Sequence, residues 1–405
     1  MAQGVGGEDE GRVKGLPCMT APISYRDLCK TCLWLGLTSY GGPAMVGYVR
    51  DVVVERRRWI GAKEFAEGLA LCQLIPGATL TQVVSYVGLV LRGPAGAAAA
   101  AACFIFPGAV LVLILSVLYF HWQALPFVQT LSHGVAAVVV AILAYACLRL
   151  AKTVLPTLPS LAIAVAACLA YVWRLNAFPV ILGAAIVGWL TSRGRMETVE
   201  ASSGARSEVE TIPPVVWAGL AGGAIAILLG MWVVVPGLAR LCLAFLGIGS
   251  VAFGGGYSMI PLIQQQVVDT LGLLSTRAFM DGIALGQVTP GPIMLTATFI
   301  GYAGWGPVGG LLATLAIFSP SWAILVVVAP RFRAWSQRGV AQGVIRGVVA
   351  SFVGMLLSLL VRFGTVTLID LPSVLLTVGA FAALLLGVDL PLVIAAGLGL
   401  SILLF

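Results

Sequence analysis

Apolar residues run in stretches of membrane length from Thr31 to Phe405, parted by short polar punctuation instead of amphipathic faces. A hydrocarbon core about 30 Å thick needs about 20 apolar residues per helical span. On that ruler the pattern predicts 13 segments, near residues 31–49, 65–91, 95–120, 131–150, 157–173, 177–191, 215–235, 239–262, 279–303, 308–329, 340–362, 371–386 and 390–405. Two long polar stretches remain. Residues 1–24 lack the short apolar core and small-residue site of a cleaved signal and read as a disordered tail. Residues 192–214 read as a linker between halves.

The halves repeat each other about 213 positions apart. Tyr40-Gly41-Gly42-Pro43 is answered by Phe253-Gly254-Gly255-Gly256, and Glu67-Gly68-Leu69-Ala70-Leu71 by Asp281-Gly282-Ile283-Ala284-Leu285. Gln73 and Pro76-Gly77 match Gln287 and Pro290-Gly291, Gly93-Pro94 matches Gly306-Pro307, and Pro107 matches Pro320. Apolar segments do not keep Gly, Pro, Gln and an acid in register by chance. The chain thus divides into a tail (1–24), a first repeat (25–191), a linker with a connecting transmembrane helix (192–236) and a second repeat (237–405). With six segments per half and one between, the expected fold is an all-α integral membrane protein of two inverted-topology repeats with interrupted helices. Duplicated domains broken at matching positions point to the central site of a transporter.

Composition narrows the class further. Sixty per cent of residues are hydrophobic and ten per cent charged, against about 25% charged in soluble domains. A soluble protein is excluded. The net charge of +7 suits basic loops of a membrane protein, and no basic module with interleaved aromatics suggests nucleic-acid binding. The bias of Lys and Arg across short loops puts the N-terminus in the cytoplasm, on the face that receives Arg26, Lys30, Arg92, Arg149, Lys152 and Arg277. Arg50, Arg56, Arg57, Arg58, Lys63, Arg174, Arg240 and Arg362 fall on the other face. The run Arg56-Arg57-Arg58 is out of place there unless segment 31–49 is re-entrant.

Both half-motifs resemble those of the chromate ion transporter family, over nearly the whole chain. The first half carries Tyr40-Gly41-Gly42-Pro43, Gly47-Tyr48-Val49-Arg50, Arg57-Arg58-Trp59 and Leu71-Cys72-Gln73-Leu74-Ile75-Pro76-Gly77; the second carries Phe253-Gly254-Gly255-Gly256-Tyr257, Ile260-Pro261 and Gly286-Gln287-Val288-Thr289-Pro290-Gly291-Pro292. The resemblance implies a bacterial plasma-membrane protein that moves chromate outward and confers chromate resistance; some relatives have been linked to sulfate. The chain departs from the family at Ala44-Met45, where a His is frequent. It departs again in Pro76-Gly77-Ala78-Thr79-Leu80-Thr81-Gln82 and at Gln264-Gln265-Gln266, in place of an acid. These changes bear on substrate and proton coupling, not on fold.

A tetrahedral dianion must exchange its hydration for fixed donors. A helix broken by Pro-Gly leaves backbone N–H groups and a positive dipole end at the start of its second part. Pro76-Gly77 and Pro290-Gly291 are placed to do so once per repeat, while Gly41, Gly42, Gly254 and Gly255 let backbone approach a ligand or simply let helices cross. Thr79, Thr81, Gln82 and Thr289, with Thr296 and Thr298, add hydroxyl and amide groups. Gln73 and Gln287 precede each Pro by about one helical turn. Arg57 and Arg58 offer the planar fork suited to oxyanions, although snorkelling at a segment end explains them equally. Glu67 and Asp281 are candidate proton carriers; pairing with arginine or helix capping is the plainer alternative.

Eight cysteines sit mostly in apolar segments and read as buried small hydrophobes. Cys29 and Cys32 lack a second pair for zinc, and two histidines, His121 and His133, define no metal centre. No phosphate loop, nucleophile motif or ATPase segment is present, so neither a cofactor nor an enzyme is expected. With the interior negative, each charge moved outward gains about 2.3 kcal/mol per 100 mV, so a dianion leaves without a coupled ion, whereas import needs about three protons. The expected partners are chromate or a related oxyanion and the lipid bilayer. A sulfate carrier, an anion channel and the oligomeric state, a homodimer included, stay open.

Overall fold

The computed structural model describes residues 23–39, 44–192, 213–253, 256–331 and 339–404. Among them there is no strand. The first half contains α1 (Tyr25–Thr38), α2 (Ala44–Arg50) running into a π-helical segment π1 (Asp51–Arg56), α3 (Ala62–Leu74), α4 (Thr79–Trp122), α5 (Pro126–Val154), α6 (Leu158–Val172) and α7 (Ala177–Ser192). Helix α8 (Pro214–Val234) follows the linker. The second half repeats the order: α9 (Pro236–Val251), α10 (Ile260–Gln264) with π2 (Gln265–Thr270), α11 (Thr276–Val288), α12 (Thr296–Val328), α13 (Gly339–Thr367), α14 (Leu371–Leu385) and α15 (Leu390–Leu404). Five of these, α4, α5, α8, α12 and α13, are long and apolar enough to cross a membrane. Lipid offers the backbone no hydrogen-bond partner, so helices are the form an apolar chain of this kind must take. The chain is a multi-pass membrane protein.

Several breaks are reversals, not kinks. Arg92 (φ −145°, ψ 21°) and Gly93 (φ 66°, ψ −163°) split α4 into two arms, and Trp305 and Gly306 split α12 in the same way. Only glycine takes the Gly93 conformation at low cost. The arms then lie against each other: a Cβ on Gly88 would strike the carbonyl oxygen of Gly96, and one on Gly301 that of Gly309. Small residues at such crossings let backbones touch.

Helix α3 and the first arm of α4 form a second hairpin, with Gly68 against the ring of Tyr86; Gly282 meets Phe299 equivalently. The stretch 65–91 is therefore a hairpin rather than a single interrupted helix, because Gly77 at φ 139° turns the chain back. Helices α1 and α2 also fold together. Trp34 donates to the Tyr48 hydroxyl at 3.3 Å, and Lys30 shares a cavity with Arg56 and Arg57. Helices α1 and α2 thus lie side by side, and the arginines of π1 return to the end where α1 begins. The expected placement of these arginines opposite Lys30 is thereby corrected. Arg277 moves the other way: it bonds His133 near the start of α5, about 24 Å along that helix from Arg149 at 1.5 Å per residue.

The long helices then cross between halves. Helix α5 packs on α14 and α15, α13 packs on α6 and α7, and α5 and α13 pack on each other. Helices α4 and α12 pair as well, each carrying the first helix of its own half. A continuous apolar core runs from Leu28 to Phe363, so the repeats share one interior. Helix α8 buries none of its residues and leans on the bundle where Trp217 meets Trp322 at 5.7 Å. Its apolar surface suits lipid.

Candidate functional site

The hairpin tips of the two halves meet. Gly77 donates its N–H to the carbonyl of Ala252, and Gly291 donates to the carbonyl of Ser39, both at 2.7 Å. Ser39 and Ala252 end α1 and α9, so the second tip of each half is tied to the first break of the other. Gly77 and Gly291 have φ of 139° and 116°, a backbone that L side chains avoid. At the first tip, Gln82 Nε2 donates to the Pro76 carbonyl at 2.7 Å, and the N–H of Ala78 reaches Ser321 Oγ at 3.0 Å. Gly108 of α4, the counterpart of Ser321, lies directly on the Pro290 carbonyl. The prolines preceding each, Pro107 and Pro320, sit inside α4 and α12.

With the Gly77 and Gly291 amides engaged across the halves, the groups left over are side chains. Thr81 Oγ1 and Gln287 Nε2 are buried donors without a partner among the described residues, and Gln82 Oε1 is a buried acceptor in the same condition. Each such group costs about 1–3 kcal/mol when unmatched, so each calls for a partner such as a ligand, an ion or a bound water. Thr289 Oγ1 bonds the Gly286 carbonyl at 3.2 Å, and Tyr257 reaches Gln287 Oε1 at 3.5 Å. Thr79 and Pro76 are half-buried. Gln73 is exposed although its counterpart Gln287 is buried. Gly41, Gly42, Gly254 and Gly255 lie outside the described residues.

Arg57 and Arg58 are not at the tips. Both are exposed beyond the end of π1, Arg57 over the ring of Trp59 at 5.8 Å and Arg58 in the left-handed region at φ 52°.

A separate polar cavity of about 290 Å³ gathers Tyr119, Ser132, His133, Arg277 and Asp281. Asp281 is only 4% exposed. Its Oδ2 accepts from the Tyr119 hydroxyl at 2.7 Å, while Oδ1 is unmatched among the described residues. Arg277 Nη1 bonds His133 Nε2 at 2.9 Å and leaves Nη2 unmatched. Glu67, in the matching position of α3, is only half-buried. Sequence reasoning singled out Asp281, noted His133 only as no part of a metal centre, and missed Tyr119 and Ser132; the three come from two other helices with no shared motif. No group of three metal-ligating side chains occurs among the described residues.

A family model described as chromate transporter matches residues 26–189 and again 239–402. An uncharacterised transporter of Methanocaldococcus jannaschii is 32% identical over 91% of this chain and 92% of its own. Chromate transport proteins of Cupriavidus metallidurans and Pseudomonas aeruginosa are 28% and 29% identical, covering 90% and 89% of this chain and 89% and 86% of theirs. No solved structure is significantly similar. Matched in both halves and along most of its relatives' length, the chain belongs to the chromate transporter family.

Proposed function

We propose that this protein is a secondary transporter that carries chromate, or another tetrahedral oxyanion, out of the cytoplasm, and so confers chromate resistance. The observation that carries the reading is the reciprocal tie of Gly77 to Ala252 and Gly291 to Ser39, beside the unmatched buried donors of Thr81 and Gln287. The oxyanion binds between these tips, where Gln73, Thr79, Gln82, Thr289 and the Pro-Gly turns at Pro76 and Pro290 complete the wall. Neutral donors suit a transported dianion, because they match its charge without holding it as an ion pair would.

The repeats, 25–191 and 237–405, are read as inverted, about the in-plane axis that many transporters share. Support comes from α8, a single long helix between them, and from the swapped packing of α5 and α13. Lys30, Arg56, Arg57, Arg149 and Lys152 gather at the end where α1 begins, which supports reading that end as cytoplasmic by the positive-inside rule in a protein of the plasma membrane. Membrane potential then favours export of a dianion. Asp281 and Glu67 are the groups through which protons would be exchanged. Chromate resistance of cells and saturable chromate uptake into inverted vesicles, lost in Gln287→Ala, test the reading. Flux at channel rates without saturation, or flux of sulfate alone, contradicts it.

A further inference from the structure

The two π-helical segments occupy equivalent places in the two halves but are held differently. Segment π2 is docked. Gln265 Oε1 accepts from the N–H of Ala177 at 2.9 Å, its Nε2 donates to the Leu175 carbonyl at 2.7 Å, and Tyr171 donates to Gln264 Oε1 at 2.6 Å. The ring of Phe178 sits over Gly247 of α9. Asp269 then takes both arms of Arg362 of α13, at 2.7 and 2.8 Å.

In π1 the acid at the position of Asp269 is Glu55, and the α5 residue at the position of Arg362 is Arg149. Neither makes the corresponding pair. Glu55 holds Arg50 at 3.2 Å, with both side chains about half exposed, and Arg149 lies over the ring of Tyr145 at 5.6 Å. Where the start of α7 fills the space beside π2, the space beside π1 is a cavity of about 200 Å³. Lys30, Trp34, Tyr48 and Arg57 line it together with Thr31, whose buried Oγ1 is unmatched among the described residues.

We propose that Asp269–Arg362 and Glu55–Arg149 are alternative locks on the two mouths of the transport path, and that the cavity beside π1 is the mouth by which an oxyanion enters. The proposal rests on the oxyanion-transport reading above. Two inverted copies of one fold change access by exchanging conformations. A segment docked in one copy and undocked in the other is what such an exchange acts on. The acid and the arginine stand at equivalent helix positions in both copies, so the first half carries both members of the pair it does not make. The π-helix is a rare conformation found frequently at functional positions, which suits an element that docks and undocks. The open mouth is also the basic one. Lys30 and Arg57 raise the local concentration of a dianion, and the unmatched Thr31 hydroxyl can donate to one of its oxygens. Transport then brings Glu55 onto Arg149 as Asp269 leaves Arg362.

Full-length protein with its native cysteines replaced by serine, reconstituted in liposomes, tests this in two ways. In Asp269→Cys/Arg362→Cys a short bifunctional thiol reagent links the pair without substrate; in Glu55→Cys/Arg149→Cys it links the pair only during chromate turnover. Each link stops flux. In the second arm, Arg149→Glu lowers flux about tenfold, within the range of coupling between sites, and Glu55→Arg/Arg149→Glu recovers most of it. A 55–149 pair that never links, links together with 269–362 in one molecule, or gives no recovery on charge exchange overturns the proposal. Absence of chromate flux in the unmodified protein defeats the oxyanion reading instead, and the locks are then judged by whether the two links exclude each other.

Discussion

Gly77 and Ala252 belong to different halves of the chain, yet the N–H of one bonds the carbonyl of the other at 2.7 Å, and Gly291 and Ser39 repeat the arrangement. Both glycines need positive φ, and a Cβ on Gly77 would also press on Gln82 and on Ser321 Oγ at 2.7 Å. Gly77→Ala should therefore destabilise the protein by about 1–3 kcal/mol and abolish flux, since the tip can no longer hold its place against the second half. Thermal unfolding in detergent and vesicle flux check this together. Wild-type values for both would show that the tie is dispensable.

Gln287 separates function from stability. Its Nε2 is buried and unmatched among the described residues, so Gln287→Leu removes a group that is unfavourable in the empty site. Because the variant also gives up the 3.5 Å contact of the Tyr257 hydroxyl with Gln287 Oε1, the expected result is thermal stability within about 1 kcal/mol of the wild type, with flux reduced at least about tenfold, the equivalent of one lost hydrogen bond to a charged ligand. A variant that loses both together would make Gln287 a structural residue.

Glycines at crossings and glycines facing lipid should behave oppositely. Gly88→Ala drives a methyl into the backbone of Gly96, an overpacking that costs about 1–3 kcal/mol. Gly222 in α8 has nothing within 4 Å of a Cβ, so Gly222→Ala should change stability by less than about 0.5 kcal/mol. Paired melting curves decide the point; equal effects would contradict the reversal at Gly93.

Proton coupling, if it runs through Asp281, has a defined surrounding: Tyr119 from α4, His133 from α5 and Arg277 from α11. Asp281→Asn keeps the size and the bond from Tyr119 while fixing the charge at zero. Flux should then lose its response to a pH gradient and keep its response to membrane potential. A response to pH that survives the substitution removes Asp281 as the carrier.

Much of this arrangement was legible in the sequence. The Gly and Pro register marked the turns at Gly77, Gly93, Gly291 and Gly306, and Glu67 with Asp281 marked the acids. What hydropathy cannot tell is whether a chain broken at Pro76-Gly77 continues across the membrane or turns back, since half-helices of 13 residues such as α3 and α11 have the composition of a short span. The expected placement of Arg56 and Arg57 opposite Lys30 followed from the same ambiguity one break earlier, where α1 and α2 fold together. The exchange of α5 and α13 between halves was invisible for another reason: contacts such as Gly188 on Gly347 join apolar surfaces that would pack equally well within one half. Asp269 and Arg362, though repeated as Glu55 and Arg149, carried no pairing signal because 93 residues part them.

The central claim is that an oxyanion passes between the joined tips. The most direct measurement is chromate flux into liposomes holding the purified protein, driven by an imposed potential, with sulfate as competitor and Gln287→Leu beside the wild type. Passage between the tips gives saturable flux that follows the sign of the potential, persists without a pH gradient and disappears in the variant. Chromate flux that is absent, or equal in the variant and the wild type, would contradict it.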